Sequence, residues 1–375
     1  MIKLLYLDNS ATTPILPEVK EVMLPYLYEE YGNPSSKYYS LAINAKQAVV
    51  NARKNVAKLL GCDETEIIFT SGSTESNNMV LKGVAETYCG KGKHIITSKV
   101  EHPSVIETCK YLESRGFRIT FMDVDRFGRI SLEQLEKNIS NETILVSLLW
   151  GNNELGSLND IEAVSKICFD KNVYFHTDAT QVVGKINIDL SALPGITFLS
   201  CSAHKFHGPK GIGVAFIRKD EYGIHTKITP LLHGGGQEYD LRSGTLPVHN
   251  IVGMGKAAEI TFENLNSNIK KLTELEDYLT NLLVTKFSKQ IIFNSDKDNK
   301  IPGILNVQFI GINNEVLLKS ISPLIAASTG SACSSSKPSH VLSAIGLSIE
   351  EIRSSVRFSM SHLINKEDLD IFKEL

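Results

Sequence analysis

Between about residue 17 and residue 260 the chain alternates segments of helical periodicity with short, continuously apolar runs, and this alternation narrows the possible folds more than any other feature. Pro17–Glu30 and Leu41–Leu60 carry amphipathic helical spacing, the second closed by Gly61, a residue suited to a left-handed C-cap. Ile67–Thr70 reads as a short strand, followed by Ser71-Gly72-Ser73-Thr74 and a helix from Glu75. His94–Ser98, Arg118–Met122, Ile144–Leu149, Val173–Thr177, Phe198–Ser200 and Gly213–Ile217 are further strands, with helices near 103–115, 131–139 and 159–171 between several of them. Strands with no polar face, joined through helices, predict an α/β fold with a mostly parallel sheet covered on both sides. After Gly255 a charged helix runs to about Lys289, a polar loop spans Asn294–Lys300, and a strand around Ile304–Phe309 precedes more helices. That change of pattern predicts a second, smaller α+β domain.

A length of 375 residues leaves ample core for two such domains. The net charge of -3, with 22% charged and 42% hydrophobic residues, excludes a nucleic-acid binder working by bulk positive charge and an acidic disordered chain. No apolar run approaches the roughly 18 residues of a membrane helix. The first ten residues, MIKLLYLDNS, carry neither a basic leader with a long apolar stretch nor a small-residue cleavage site, so a cytoplasmic protein off the membrane is expected. The six cysteines, at 62, 89, 109, 168, 201 and 333, form no C-x-x-C pair and no zinc spacing with histidines, which points to a reducing compartment, thiols and no metal. Five of them read as small buried hydrophobes. Cys333, among glycine and serines, does not.

Several motifs lead nowhere. His233-Gly234-Gly235-Gly236 resembles an esterase oxyanion loop, yet no G-x-S-x-G elbow supplies a nucleophile. Gly208-Pro209-Lys210-Gly211-Ile212-Gly213 fits neither a dinucleotide fingerprint nor a P-loop. What remains is polar residues at strand-to-helix junctions, where open α/β sheets bind ligands. Ser71-Gly72-Ser73-Thr74 suits either a plain helix N-cap or an anion held by hydroxyls and free N–H groups. Asp178, closing an apolar strand, is either a helix cap or the partner of a protonated ring nitrogen. Lys205, in the small-residue loop Ser202-Ala203-His204-Lys205, is either solvated or a Schiff-base lysine. An anion site, an Asp and a Lys in that order are the set that pyridoxal phosphate needs.

Longer motifs carry a resemblance along almost the whole chain. They include Tyr6-Leu7-Asp8-Asn9-Ser10-Ala11-Thr12-Thr13-Pro14, Phe69-Thr70-Ser71-Gly72-Ser73-Thr74-Glu75-Ser76-Asn77-Asn78 and Glu101-His102. Asn152-Asn153-Glu154-Leu155-Gly156, His176-Thr177-Asp178-Ala179-Thr180-Gln181, Ser202-Ala203-His204-Lys205 and Arg242-Ser243-Gly244-Thr245-Leu246-Pro247 follow. Ser328-Thr329-Gly330-Ser331-Ala332-Cys333 and Pro338-Ser339-His340-Val341-Leu342 complete the set. In these the chain resembles cysteine desulfurases of the IscS/NifS type, class-V aminotransferases among the fold-type-I pyridoxal-phosphate enzymes. The resemblance implies a large cofactor-binding domain over 16–255 with a mostly parallel seven-stranded sheet, and a small domain built from 1–15 and 256–375.

It further implies that Lys205 carries the cofactor, Asp178 pairs with its ring nitrogen, and His102 stacks on the ring and moves protons. Gln181 and Asn153 would lie near the phenolic oxygen, Asn153 also near the substrate. Ser73, Thr74, Ser202 and His204 would hold the phosphate, and Thr245 the phosphate of a neighbouring subunit, which implies a homodimer. Arg357 would take the carboxylate of the L-cysteine substrate, a task its guanidinium fork suits. Cys333 would attack the substrate sulfur, leaving alanine and a persulfide that passes to an acceptor protein. A polar, accessible loop favours the reactive thiolate.

The sequence departs from the family pattern in three places. The stretch from Cys333 to Pro338 is shorter than in housekeeping members, Ser361-His362 replaces a usual Gly-Arg, and the sequence stops at Leu375, soon after the Arg357 motif. These departures point to a dedicated acceptor, in tRNA thiolation, DNA phosphorothioation or a specialised iron–sulfur cluster, as readily as to the usual scaffold. Direct nucleic-acid contact is not expected at this charge. The rival readings are a selenocysteine lyase or an aminotransferase-like enzyme, and a non-catalytic sulfur carrier. Cys333 speaks against an aminotransferase, and Lys205, Asp178 and His102 speak against the carrier.

Overall fold

The expected alternation closes into one mostly parallel sheet whose carboxyl edge carries the polar junctions. In the computed structural model, which describes residues 4–330 and 338–374, the strands in chain order are β1 (Leu5–Tyr6), β2 (Ile67–Thr70), β3 (His94–Ser98), β4 (Arg118–Met122), β5 (Thr143–Leu149), β6 (Tyr174–Asp178), β7 (Phe198–Ser202) and β8 (Gly213–Ile217). The last seven form a sheet in the order β2-β8-β7-β6-β5-β3-β4. Only β8 runs against its neighbours, pairing antiparallel with β2 and β7. The carboxyl ends of β2, β3, β5, β6 and β7 therefore share one edge. β2, β3, β5, β7 and β8 are buried along their whole length, as a sheet covered on both faces requires.

Three strands from the later part of the chain, β9 (Ile291–Phe293), β10 (Ile304–Phe309) and β12 (Ser355–Ser359), make an antiparallel sheet in the order β12-β10-β9, and β11 (Ile325–Ala326) pairs with β1. One apolar cluster joins residues of the first sheet, such as Phe69, Val146, Phe175 and Phe216. Another joins Leu5 and Leu7 to Leu275, Val307 and Phe358. The helix Val248–Phe287 packs Met254 and Ala258 into the first and Leu275 and Leu279 into the second. It is the longest helix, yet no helix among the described residues is long and apolar enough to cross a membrane.

Local differences from expectation have physical causes. Pro17–Glu30 is two helices, Pro17–Met23 and Pro25–Tyr28, because Pro25 cannot donate its backbone hydrogen bond. The long helix starts before Gly255, not after it. A Cβ at Gly255 would lie 2.5 Å from the Ala52 Cα, so this glycine permits close packing on the helix Ser40–Leu60 and lies inside the long helix. Gly61 does close that helix, with φ 64°. Of the cysteines expected to be buried, Cys109, Cys168 and Cys201 are, but Cys62 is half-buried and Cys89 is exposed where the helix Ser73–Tyr88 ends.

Candidate active site

The strand ends decide where the polar side chains meet. β6 runs one residue further than its apolar run, so it ends on Asp178, and β7 extends to Ser202. Thr70 and Ser202 flank Gly213 of β8 in register. A Cβ on Gly213 would approach the Gly72 Cα to 2.6 Å, so this glycine lets the strand lie directly against the turn that opens the helix Ser73–Tyr88. Gly72 itself has φ 148° and no side chain caps the helix. The N–H groups of the first turn thus face outward at the positive end of the helix dipole.

These ends surround a cavity of about 940 Å³. Ser73, Thr74, His102, Asn153, Asp178, Gln181, Ser202, His204, Lys205 and Arg357, all expected from the sequence, line it. Thr245 is exposed and does not. Cys333 lies outside the described residues; Gly330 and Pro338, the described residues on either side of it, both line the cavity.

Lys205 Nζ donates to the carbonyl oxygens of Ser10 (2.5 Å) and Ala11 (2.8 Å). Gln181 Nε2 donates to the same Ser10 oxygen at 2.9 Å, so the early Asp8–Thr12 segment is tied to the sheet edge through both residues. Asp178 accepts from the Thr180 N–H at 3.0 Å and from Asn77 Nδ2 at 2.8 Å. Thr180 Oγ1 in turn donates to Ser73 Oγ at 2.6 Å. His102 caps the helix Pro103–Ser114, its Nδ1 accepting from the Ser104 N–H at 3.1 Å. Burial lowers its pKa, and Lys205 and His340 add to that against the pull of Asp178. His204 is pushed down to about 4 by burial, then by the positive charges of Lys205, Lys210 and Lys185.

Arg357, 1% exposed on β12, donates through Nη2 to Asp8 Oδ1 (2.7 Å) and through Nη1 to the carbonyls of Asn153 (2.9 Å) and Gly330 (3.3 Å). Its Nε is buried without a hydrogen-bond partner among the described residues.

Residues that sequence reasoning did not single out take part as well. Asn77, Ser104, Thr180 and the Ser10 carbonyl hold the expected residues in place. Lys185, buried and pushed down to about 7 by that burial, with Lys205 and Arg357 adding to it, reaches Gln181 Oε1 at 3.3 Å. Asn77 did leave a trace: it shares a helix face with the buried Val80, Leu81 and Val84, where a polar residue needs a reason.

The donor set fits pyridoxal phosphate. An uncapped helix start with Ser73 and Thr74, a cationic surround of Lys205 and Lys210, a carboxylate held on β6 and a lysine amine all open on one cavity. The sequence matches the family described as Aminotransferase class-V over residues 5–372. A cysteine desulfurase IscS of Dictyoglomus turgidum is 46% identical over 368 residues, which cover 97% of this chain and 91% of that protein. A solved NifS-like protein has a TM-score of 0.92 at 38% identity, covering 99% of this chain and 98% of its own. The structure of SspA in complex with cysteine gives 0.83 at 37% identity, with 95% and 98% covered. On its sequence and its fold, the chain belongs to the aminotransferase class-V family, among the pyridoxal-phosphate-dependent cysteine desulfurases of the IscS and NifS type.

Proposed function

We propose that this chain converts L-cysteine to L-alanine and takes the released sulfur onto Cys333 as a persulfide. The observation that carries the reading is the meeting of Lys205, Asp178, His102 and Arg357, from four separate parts of the chain, in one cavity. Pyridoxal phosphate, when bound, supplies an electron sink for bond breaking at the substrate's carbons.

The chain's own residues do the rest. Ser73, Thr74, Ser202 and His204 hold a phosphate at the start of the helix Ser73–Tyr88, and Asp178 keeps a proton on a ring nitrogen. Lys205 holds the cofactor and moves the proton of the substrate Cα, while His102 packs on the ring. Gln181 and Asn153 orient its phenolic oxygen, and Arg357 takes the substrate carboxylate. The Cys333 thiolate forms a bond to the substrate sulfur as the C–S bond breaks. The electron pair of that bond stays with carbon, which gains a proton and leaves as alanine, so no outside oxidant or reductant is needed.

The exposed Thr245 supports a homodimer in which it reaches the neighbouring subunit's phosphate. The two apolar clusters support a large domain over 16–255 and a small one from 1–15 and 256–375. The protein works in the cytoplasm and hands its sulfur to an acceptor protein in iron–sulfur assembly, tRNA thiolation or DNA phosphorothioation.

Incubation of the purified protein with L-cysteine tests the reading. Alanine is expected, together with a mass gain of one sulfur atom on the peptide holding Cys333. Cys333→Ala should keep the yellow colour of the bound cofactor and form no persulfide. A yellow wild-type protein that releases no alanine overturns the proposal.

A further inference from the structure

Asn77 is fully buried, and its Nδ2 gives one hydrogen to Asp178 Oδ2 (2.8 Å) and the other to Ser104 Oγ (2.9 Å). The opposite amide orientation would set its oxygen against the Asp178 carboxylate, so chemistry selects this one. Since the Ser104 oxygen accepts from Asn77, its own hydrogen is directed to His102 Nδ1, 2.8 Å away. The Ser104 backbone N–H converges on the same nitrogen at 3.1 Å. Two donors at one ring nitrogen leave it the lone pair and place the proton on Nε2. A proton on Nδ1 would face an N–H head-on, and would turn the positive end of its own N–H dipole toward the positive end of the helix Pro103–Ser114.

We propose that Asn77 and Ser104 are positioning residues that fix His102 as its Nε2–H tautomer and tie the setting of that ring to that of Asp178. Neither residue lines the cavity, so both act through the two groups that do. The inference deepens the reading as a pyridoxal-phosphate desulfurase: the two residues expected to hold the cofactor ring are set by one amide. A proton held at Nε2 is also on the ring edge away from the helix, the edge His102 has left for cofactor or substrate. The charged and titratable groups facing His102 are Asp178 on β6, Lys205 after β7 and His340 at the start of the helix His340–Ala344. Asp178 favours the imidazolium, whereas burial, Lys205 and His340 oppose it.

Nitrogen NMR of the cofactor-bound protein with labelled histidine tests the proposal, His102 being assigned by the resonance lost in His102→Gln. Wild type should show Nε2 protonated and Nδ1 bare at neutral pH. Ser104→Ala, which removes only the hydroxyl, should raise the His102 pKa by roughly half a unit to one unit, and Ser104→Thr should restore it. Asn77→Asp draws the Ser104 hydrogen to the new carboxylate and should raise the His102 pKa by more than about one unit. A wild-type ring protonated at Nδ1 overturns the proposal. So does a His102 titration that is the same in wild type, Ser104→Ala and a folded Asn77→Asp. Alanine release is measured on the same samples: its absence counts against the desulfurase reading and leaves the tautomer result to stand by itself.

Discussion

The Arg357 guanidinium and the Asp8 carboxylate meet at 2.7 Å, 349 positions apart in the chain, where β12 passes the segment that follows β1. The arginine side chain is 1% exposed and the carboxylate 22%. The pair thus joins two stretches near opposite ends of the chain at the wall of the cavity, and Asp8 holds the buried Arg357 cation in place.

Arg357→Lys removes the planar fork and keeps the charge. Hydrogen bonds to charged groups contribute about 1.5–3 kcal/mol, so the KM for cysteine should rise roughly ten- to a hundredfold. The visible spectrum of the bound cofactor should stay as in wild type. Steady-state alanine release against cysteine concentration is the measurement; an unchanged KM would remove Arg357 from carboxylate binding.

Gly213→Ala should loosen the phosphate end of the site. Its new methyl would sit 2.6 Å from both the Gly72 Cα and the Cys201 carbonyl oxygen. Overpacking of this kind costs about 1–3 kcal/mol. A lower urea midpoint together with weaker pyridoxal phosphate binding is expected, and normal cofactor affinity in the folded variant would show that the turn at Gly72 does not bear on the cofactor.

Glu101 is fully buried, accepts from Ser98 Oγ at 2.6 Å, and has no partner for Oε2 among the described residues. Burial pushes its pKa from 4.5 up to about 8. The folded protein therefore holds a proton that the unfolded chain releases above 4.5, so this residue's contribution to stability is full below that pH and is lost as pH rises through about 8. Glu101→Gln copies the neutral form. The stability difference between variant and wild type, measured by urea unfolding, should shift in favour of the variant from pH 5 to pH 8. A difference that does not change with pH contradicts a protonated Glu101.

Glu238 receives Arg53 through both carboxylate oxygens, at 2.9 and 2.5 Å, and the Phe69 N–H at 2.7 Å. It also stands in a run of three residues with left-handed φ, Glu238, Tyr239 and Asp240, a conformation that needs such support. Glu238→Ala leaves a buried guanidinium without its carboxylate, and should destabilise the fold by about 3–5 kcal/mol. In a homodimer fed by Thr245 it should also weaken cofactor binding, because residues 238–245 are one continuous stretch. Equilibrium unfolding and cofactor titration check both effects.

Much of the architecture was legible in order. Apolar runs without a polar face mark strands buried on both sides, and Gly61 marks a helix end because a left-handed cap suits glycine. The Ser71–Thr74 turn, Asp178 and Lys205 were legible as polar chemistry at strand ends, whereas His102, Asn153, Gln181 and Arg357 came from the resemblance. Other features were not. The change of pattern at Gly255 does not mark the start of a helix, because that glycine sits inside the helix Val248–Phe287 and serves close packing against Ala52. Ser361-His362, noted only as a departure, turns out to pack on the Lys205 loop: Ser361 Oγ lies 3.3 Å from His207 Nε2 and the two histidine rings meet edge to face. Periodicity reports which face of an element is buried, and says nothing of which distant element covers it.

By itself the sequence determined the α/β alternation, a hydroxyl-rich turn before a helix, and an aspartate and a lysine at strand ends, since all of these follow from local backbone preference and side-chain type, whereas Arg357 entered through the resemblance alone. Only the tertiary structure decided that Asn77 reaches Asp178 across 101 positions, that Lys205 is gripped by the Ser10 and Ala11 carbonyls, and that Arg357 is buried against Asp8. The physical reason is directional. Hydrogen bonds act over about 3 Å and at set angles, so the donor that shapes a tautomer or holds a charge is chosen by packing in three dimensions, which the order of residues along the chain does not express.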